Sequence, residues 1–519
     1  MNRSELLGNL RNEQDKIWDI IIVGGGATGL GVALDSVTRG YKTLLLEQAD
    51  FASGTSSRST KLVHGGVRYL AKGDLWLVME ALHERGLMLK NAPHLTSNQE
   101  FVIPLYSLFD VLQYWFGLKF YDILSGRLSL GKSYYINKEK TLERLPNLKA
   151  EGLKGGIVYH DGQFDDSRMA ISLAEESIKR GAVVLNYFKV NSLVKNEKGK
   201  ITGVNAMELV SGEEFILSAK VVINATGVFA DQITKMDEPL SEASIRPSQG
   251  IHLVLDRSFL RSNSAIMIPK TEDGRVLFAI PWYNEVVVGT TDTPLDEISL
   301  EPKALDQEID FILRTADAYL MNAPKREDIL SIFAGLRPLA ANPSNPGATK
   351  EVSRRHKISL STSGLLSVIG GKWTTYRRMA EETIDKAIKA GLLQKRKCLT
   401  NHLPLADAGF TSQGGRLGIY GSGYKEIEQI MAEEPAAGLL IHKDLPYTKA
   451  EILWICRNEM PVNIDDVLSR RTRATLLNAR ASNESAPEVA RIMADTLGFD
   501  STWQFSQIKA FNDLIIKYL

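Results

Sequence analysis

The run Trp18-Asp-Ile-Ile-Ile-Val-Gly-Gly-Gly-Ala-Thr-Gly29 decides the fold of this 519-residue chain. Its apolar first half is typical of a buried parallel strand. In its second half, Gly24 permits a tight turn, Gly26 lets backbone approach a pyrophosphate, and Gly29 lets the next helix pack closely on the strand. A helical stretch and a second apolar strand, Lys42–Leu46, follow. The pattern predicts a β-α-β unit that binds a dinucleotide.

A carboxylate, Glu47, ends the second strand about 20 residues after the turn, as expected for a dinucleotide site. A carboxylate at this place accepts hydrogen bonds from ribose hydroxyls, and the N-terminus of the helix offers unpaired N–H groups to phosphates. The combination favours a dinucleotide site over a glycine-rich turn that binds nothing.

Three further segments of small residues favour FAD over NAD. The first, 51–70, is rich in hydroxyl residues and glycine and is too long for a turn, so it suits backbone threaded along a large planar ligand. The second is Asn224-Ala-Thr-Gly227, at the end of an apolar strand. The third, Gly370-Gly-Lys-Trp-Thr-Thr375, runs from the strand Leu365–Ile369 into a helix whose N-terminus would face the pyrimidine end of a flavin.

The remaining predicted cofactor-binding residues lie in these three segments. We expect the hydroxyl groups of the first segment and Lys61 to lie near the phosphate and ribitol of the cofactor. The predicted residues are Thr55, Ser56, Ser57, Lys61, Leu62, Ala225, Thr226, Gly227, Gly371, Lys372 and Thr374.

Composition excludes several classes of protein. Hydrophobic residues make up 44% and charged residues 24%, which is typical of an ordered globular chain, and the length predicts two or three domains. The 62 basic and 62 acidic side chains leave no net charge, which removes the electrostatic case for a general nucleic-acid binder. Two cysteines, Cys398 and Cys456, cannot form a disulfide framework or a metal cluster. We therefore expect a reducing compartment and no metal site.

The hydropathy pattern predicts neither a signal peptide nor a spanning helix. Met1 to Lys16 is polar, and no uninterrupted apolar run reaches about 18 residues. The longest candidate, 101–124, is interrupted by charged residues and a proline. The sequence predicts a protein that is cytoplasmic or lies on a membrane rather than across it.

The same stretch carries four aromatic residues with two interpretations. Trp115, Phe116, Phe120 and Tyr121 either contact lipid or pack beneath the substrate domain. Base rates favour packing.

Seven motifs resemble those of the FAD-dependent glycerol-3-phosphate dehydrogenase family, within the larger group of glycine- and D-amino-acid-oxidase-like flavoproteins. The resemblance runs from about residue 16 into the C-terminal region, and its most specific element is His-Gly-Gly-Val-Arg-Tyr-Leu, which amino-acid oxidases are not expected to carry. Gly54 and Trp373 depart from the family pattern without removing a charge. The motifs are Ile22-Val-Gly-Gly-Gly-Ala-Thr-Gly29, Thr55-Ser-Ser-Arg-Ser-Thr-Lys-Leu-Val-His-Gly-Gly-Val-Arg-Tyr-Leu70, Asn224-Ala-Thr-Gly227, Ile280-Pro-Trp282, Gly289-Thr-Thr-Asp292, Gly335-Leu-Arg-Pro-Leu339 and Gly370-Gly-Lys-Trp-Thr-Thr-Tyr-Arg377.

The resemblance implies an α/β FAD-binding Rossmann-like domain of the glutathione-reductase type, an α+β substrate domain and an all-α C-terminal domain. The expected bounds are 16–92, 150–240 and 351–392 for the FAD-binding domain, 93–149 and 241–350 for the substrate domain, and 400–519 for the helical domain. No residue of the helical domain is assigned to catalysis. Dimerisation, capping of the pocket and partner contact remain open as its role.

The implied reaction is oxidation of sn-glycerol 3-phosphate to dihydroxyacetone phosphate, with a hydride passing to FAD and electrons to a quinone. Arg68 and Arg337 match substrate-pocket positions of the family, and Lys372 is a third cation. Arginine suits the task because its planar fork matches phosphate oxygens. Tyr69 and Tyr376 are candidates to hydrogen-bond the substrate, although buried aromatics with a satisfied hydroxyl are commoner.

The departing hydroxyl proton needs an acceptor, for which a neutral histidine is suited near pH 7. His64 adjoins the flavin segment, and His252 lies on a predicted strand. Either could instead hydrogen-bond flavin or phosphate structurally. The motif Asp165-Asp166-Ser-Arg168 predicts a helix cap with a local ion pair.

Three alternatives remain open at this point. One is an oxidase that passes electrons to oxygen, although the extra insertion of the family's oxidases is not found here. Another is an amino-acid or 2-hydroxy-acid oxidase of the same fold, and a third is a flavin-binding protein without catalysis. The resemblance further implies a homodimer, with peripheral association at the inner face of the cell membrane.

Overall fold

A computed structural model describes residues 1–13, 16–67, 74–272, 274–341, 356–405 and 415–519. Its strands are β1 Trp18–Val23, β2 Thr43–Leu46, β3 Leu62–Val63, β4 Thr96–Leu105, β5 Tyr134–Asn137, β6 Gly155–Phe164, β7 Val183–Leu185, β8 Phe188–Lys195, β9 Ile201–Glu208, β10 Glu214–Asn224, β11 Ile245–Asp256, β12 Ala265–Ile268, β13 Leu277–Trp282, β14 Glu285–Gly289, β15 Thr293–Pro294, β16 Ile329–Ala340, β17 Lys357–Leu360 and β18 Leu365–Ile369.

The helices lie between and after these strands. They are α1 Arg3–Asn12, α2 Ala27–Thr38, α3 Leu75–Asn91, α4 Leu108–Ser125, α5 Lys138–Arg144, α6 Asp166–Lys179, α7 Ala230–Asp237, α8 Asp306–Tyr319, α9 Tyr376–Lys389, α10 Tyr424–Glu433, α11 Lys449–Asn458, α12 Ala474–Leu477, α13 Ala479–Leu497 and α14 Ser501–Ile515.

The first sheet is the predicted dinucleotide-binding layer. Its order is β17-β18-β10-β1-β2-β7, and the pairs from β18 to β7 are all parallel. Ile20, Ile21 and Ile22 in β1 are fully buried, as the apolar run predicts. Because β1, β10 and β18 are adjacent and parallel, the three glycine-rich segments that follow them lie at one edge of the sheet.

The second sheet has the order β15-β11-β14-β13-β12-β4-β6-β3, with β16 on β11 and β5 on β6. Its pairs are antiparallel except for β12 with β4. The expected boundary at residue 150 needs one correction here. It assigns β6 to the dinucleotide domain, whereas β6 pairs with β4 along ten residues, because both strands present apolar side chains to the core of the second sheet.

The C-terminal region is helical, as predicted. Helices α10 to α14 enclose a separate hydrophobic core. That core also contains Val254, Trp282, Val287 and Phe333, which are side chains of the second sheet. The helical domain is therefore packed directly on the sheet that carries the predicted substrate residues.

The predicted helix cap is confirmed: Asp165 caps the start of α6 by accepting the N–H of Arg168. The predicted local ion pair is wrong. Arg168 instead binds Glu459 of the C-terminal domain through two bonds of 2.6 and 2.7 Å. All three charges of the motif are buried, so each needs a fully aligned partner, which only distant segments provide.

Helix α4 corrects the preferred interpretation of the aromatic stretch. Tyr121 is buried and donates to Asp161, but Phe116 is 64% exposed, and Trp115 and Phe120 are also exposed. Among the described residues, no helix is both long and apolar enough to cross a membrane.

Candidate active site

A cavity of about 360 Å³ opens where the three glycine-rich segments meet the second sheet. Most of the predicted site residues line it. They are Gly24, Gly26, Glu47, Thr55, Ser56, Leu62, His64, Ala225, Thr226, Gly227, His252, Arg337, Gly371, Lys372 and Thr374.

The first turn has the geometry that its glycines predict. Gly24 has φ +109°, and a Cβ there would lie 2.7 Å from the carbonyl oxygen of Ala225. A Cβ on Gly29 would lie 1.8 Å from the Gly24 oxygen, so Gly29 does not line the cavity but allows α2 to pack. Glu47 accepts the N–H of Gly25 at 2.6 Å, and burial raises the pKa of its carboxyl. The cradle of backbone and one carboxylate fits the pyrophosphate and ribose of FAD.

Hydrogen bonds join the segment 55–64 to the start of α2 and to the segment 370–375. Ser56 Oγ accepts the N–H of Ala27 at 2.9 Å, and the Ser56 carbonyl accepts the indole N–H of Trp373 at 2.8 Å. The N–H of His64 donates to Thr374 Oγ1 at 3.3 Å. The segment 55–64 is therefore fixed to the helix N-termini on both sides.

Two predicted cofactor contacts are wrong for the side chains. Lys61 is fully buried behind the cavity wall, where its ammonium donates to Asp166 Oδ2 at 2.8 Å and to the Ser57 carbonyl at 2.6 Å. Ser57 is buried next to it and does not line the cavity. The reason is electrostatic: the fully buried Asp166 needs a counter-charge, and Lys61 provides it.

Arg337 lies on β16 and lines the cavity. Its guanidinium donates to the carbonyl of Gln249 at 3.2 Å, to Thr290 Oγ1 at 3.1 Å and to the carbonyl of Thr291 at 2.9 Å. A longer contact of 3.3 Å joins it to Asp292 Oδ1. The motif Gly289-Thr-Thr-Asp292 thus supplies three of these four acceptors, which orient the predicted phosphate-binding arginine.

Two glycines make room for the functional side chains. A Cβ on Gly250, which pairs across β11 and β16 with Gly335, would lie 2.2 Å from Arg337 Nη2. A Cβ on Gly289 would lie 2.4 Å from Cδ2 of His252. Any larger residue at either position would displace the arginine or the histidine.

His252 is 2% exposed and its ring stacks on Phe333 with centroids 4.7 Å apart. Its Nε2 lies 2.9 Å from Thr60 Oγ1, while its buried Nδ1 has no hydrogen-bond partner among the described residues. Burial, followed by the charges of Lys61 and Arg337, lowers the pKa of His252 well below its usual value. The imidazole is therefore neutral at pH 7.

The remaining predicted substrate residues have different outcomes. Lys372 lines the cavity beside Gly371. Tyr376 does not line it: its ring packs on Trp373 at 5.5 Å and against Gly31 of α2, so the structure corrects its assignment to substrate binding. Tyr376 fills the contact between α9 and α2 with its large aromatic ring, and burial raises the pKa of its hydroxyl. Arg68 and Tyr69 lie outside the described residues.

Several residues of the site were not predicted. Thr60 and Asp292 stand inside motifs quoted above, which is the sequence signal that could have found them. Their contacts with His252 and Arg337 bridge distant parts of the chain and appear only in the structure. Phe188, Lys189 and Gln232 line the cavity from β8 and α7 and carry no pattern in the sequence.

Comparison with protein families gives two matches. Residues 19–377 match the family described as FAD dependent oxidoreductase. Residues 411–504 match the family described as the C-terminal domain of alpha-glycerophosphate oxidase. Together the two matches cover both the cavity and the helical domain.

Individual relatives are similar along nearly the whole chain. The chain is 40% identical to the probable mitochondrial glycerol-3-phosphate dehydrogenase of Caenorhabditis elegans and 38% identical to the mitochondrial glycerol-3-phosphate dehydrogenase of Homo sapiens. Each alignment covers 98% of this chain and 74% of the relative.

Solved structures agree with this similarity. The glycerol-3-phosphate dehydrogenase from Bacillus halodurans complexed with FAD has a TM-score of 0.80 and 29% identity, covering 99% of this chain and 97% of that chain. Glycine oxidase from Geobacillus kaustophilus, at 17% identity and a TM-score of 0.55, shares the fold over 75% of this chain and 98% of its own.

Proposed function

This chain belongs to the FAD-dependent glycerol-3-phosphate dehydrogenase family, and on that premise we propose that it oxidises sn-glycerol 3-phosphate to dihydroxyacetone phosphate and passes the electrons to a quinone. One observation carries the substrate assignment: Arg337 and His252 face the same cavity as the three dinucleotide-binding segments. A cation for the phosphate and a neutral base for the hydroxyl proton thus adjoin the place of the cofactor.

Arg337 and Lys372 bind the phosphate dianion of the substrate. Charge-assisted hydrogen bonds of this kind contribute about 1.5–3 kcal/mol each. Of the four contacts described above, the one between Arg337 and Asp292 is the longest, at 3.3 Å, so a phosphate oxygen replaces it most easily among them. The other three acceptors keep the guanidinium plane oriented while the substrate is bound.

His252 accepts the hydroxyl proton. It is neutral in the free protein, and a bound phosphate dianion raises its pKa toward the range in which a general base is efficient. Thr60 holds Nε2 and so fixes the plane of the ring. Bound FAD accepts the hydride from the carbinol carbon. His64, whose backbone is tied to Thr374, is the second candidate for the base.

An anaerobic visible spectrum of the purified protein tests this proposal. Glycerol 3-phosphate should bleach the flavin band, whereas D-alanine, glycine and lactate should leave it unchanged. A band that only an amino acid or lactate bleaches would contradict the substrate assignment and favour the other oxidases of this fold. Readmitting oxygen or a soluble quinone then separates the two acceptors, and reoxidation by oxygen at the rate seen with quinone would contradict the dehydrogenase assignment.

The acceptor proposal is supported by an apolar face on α4. One side of this helix carries four apolar side chains that are 59 to 73% exposed: Phe109, Leu112, Phe116 and Ile123. Tyr121, on the other side of the helix, is buried. An amphipathic helix with large aromatic and aliphatic side chains inserts shallowly into the headgroup region of a bilayer, where quinones are dissolved. We propose that this face binds the inner surface of the cell membrane from the cytoplasm. The homodimer stays a prediction.

Co-sedimentation with phospholipid vesicles tests the membrane proposal. The double variant Phe109→Asp/Phe116→Asp should lose most of its vesicle binding and keep reduction by glycerol 3-phosphate. Phe505→Asp is the matched control, because Phe505 is equally exposed, at 73%, on the helical domain. Equal vesicle binding by all three proteins would contradict the proposal.

A further inference from the structure

A segment of the C-terminal domain inserts three buried arginines behind the wall of the cofactor cavity. The residues Asp466–Arg471 form a π-helical turn, and Arg473 follows with φ +70°. π-Helical turns are rare and frequently mark functional sites. Arg470, Arg471 and Arg473 are almost completely buried. Arg470 pairs locally with Asp465 and Asp466, but the other carboxylates that the three arginines bind, Asp50 and Asp165, belong to the first 170 residues of the chain.

The first contact is with Asp50. Arg471 Nη2 donates to Asp50 Oδ1 at 2.9 Å, its Nη1 donates to Oδ2, and Arg470 Nε donates to Oδ2 at 2.7 Å. Burial opposes ionisation, but Arg471 and Arg470 outweigh it and hold the pKa of Asp50 below its usual value. Asn186 also donates to Asp50, at 3.1 Å, and to the carbonyl of Met460.

Asp50 is the centre of a turn whose outer side lines the cavity. Glu47, Gln48, Ala52 and Ser53 are all part of the cavity wall, whereas Asp50 points away from it. Backbone hydrogen bonds hold the rest of the turn: the N–H of Phe188 donates to the Glu47 carbonyl, that of Tyr187 to the Ala49 carbonyl, and that of Ala52 to the Gly25 carbonyl. The side chain of Asp50, at the centre of the turn, is bound by Arg470, Arg471 and Asn186. The two arginines therefore fix the wall on the side of the predicted ribose-binding carboxylate.

The second contact reaches the segment 55–61. Arg473 donates to Asp165 Oδ1 from Nε at 3.0 Å and from Nη2 at 2.5 Å. The next residue, Asp166, binds Lys61, which in turn donates to the Ser57 carbonyl behind the cavity. One short segment of the helical domain is thus linked to two parts of the cavity wall that are far apart in sequence.

We propose that the C-terminal domain is part of the FAD-binding machinery, in which Arg471 and Arg473 are positioning residues that hold the turn 47–53 and the segment 55–61 in the shape that retains the cofactor. Loss of Arg471 leaves Asp50 as a buried charge with only part of its compensation. The turn then moves so that Asp50 reaches water, and the cavity wall moves with it.

The rate of FAD release from diluted holoenzyme, followed by the rise of flavin fluorescence, tests the proposal. Arg471→Gln should release FAD at least tenfold faster, which corresponds to about 1.4 kcal/mol. Arg471→Lys should recover part of the retention, because it keeps the charge.

Arg416→Gln is the matched control. Arg416 binds the fully buried Glu451 within the C-terminal domain, at 2.7 Å, and has no contact with the cavity wall among the described residues. It should leave FAD release unchanged. Release that is unchanged in Arg471→Gln, or equally fast in Arg416→Gln, overturns the proposal, because the domain would then matter only for general stability. If Arg471→Gln does not fold, Arg470→Lys compared with Arg416→Lys decides by the same readout.

Discussion

Replacing Gly250 by alanine should disable the site without disturbing the fold. A Cβ at this position would lie 2.2 Å from Arg337 Nη2 and 2.6 Å from Thr290 Oγ1. Ordinary contact requires at least 3.4 Å, so the guanidinium has to move by about 1 Å or more. A misplacement of about 1 Å in a substrate-positioning group costs about 100-fold in rate, or roughly 2.7 kcal/mol of transition-state stabilisation. Gly250 lies within the extended strand β11, whose backbone alanine adopts readily.

The assay is anaerobic flavin reduction by glycerol 3-phosphate, together with steady-state kcat/KM. We expect kcat/KM for Gly250→Ala to fall by about 100-fold while bound FAD stays at the wild-type level. Gly8→Ala is the control, since a Cβ on Gly8 meets nothing within 4 Å. A wild-type rate in Gly250→Ala would refute the assignment of Arg337 to the substrate. A loss that follows FAD content would instead place the effect on the cofactor.

Three further predictions concern buried or partly buried ionisable side chains, and urea unfolding measures all three. The pKa of His252 is lower in the folded state than in the unfolded chain, so only the unfolded chain takes up a proton as the pH falls below about 6.5, and the free energy of unfolding decreases. His252→Asn should remove about 2 kcal/mol of the stability that is lost between pH 7 and pH 5. An unchanged pH dependence would contradict the low pKa. Burial and the neighbouring Asp256 raise the pKa of Glu285 to about 7, so its ionisation destabilises the folded state as the pH rises. At pH 8, Glu285→Gln should be more stable than wild type by about 1–2 kcal/mol, a figure reduced for the partial exposure of the side chain. At pH 4 the variant should show no gain in stability. Asp166→Asn leaves the buried ammonium of Lys61 with neutral hydrogen-bond partners among the described residues and should lower the free energy of unfolding by about 3–5 kcal/mol. Glu175→Gln breaks an exposed ion pair on the same helix and should change the free energy of unfolding little. Equal effects of the two variants would contradict the importance of the buried pair.

The parts of the fold that local patterns determine were predictable. The turn Gly24–Gly29 and the strand Leu365–Ile369 follow from a few adjacent residues, and the structure confirms both. Lys61 was misplaced because its partner, Asp166, is 105 residues away and is buried by another segment. A lysine next to hydroxyl residues has the same local sequence whether it faces a phosphate or the interior.

The substrate side shows the same limit. The motif around Arg337 identified the arginine, but the acceptors that orient it depend on how β11 and β16 are aligned. That register places Gly250 opposite Gly335 and so creates the space for the guanidinium. Pairing between strands about 85 residues apart is set by packing of the whole sheet and leaves no local signal.

The strand order of the first sheet sets the time at which this protein can first hold its cofactor during synthesis. β1 emerges early from the ribosome, but its neighbour β10 ends at Asn224, and β18 ends at Ile369. At about 5–20 residues per second, roughly 20–70 s separate the first glycine turn from the third. β1 lacks its neighbour β10 during the first part of that interval, and β10 lacks β18 until its end. The edge of the sheet that binds the cofactor is therefore complete only after β18 has been made.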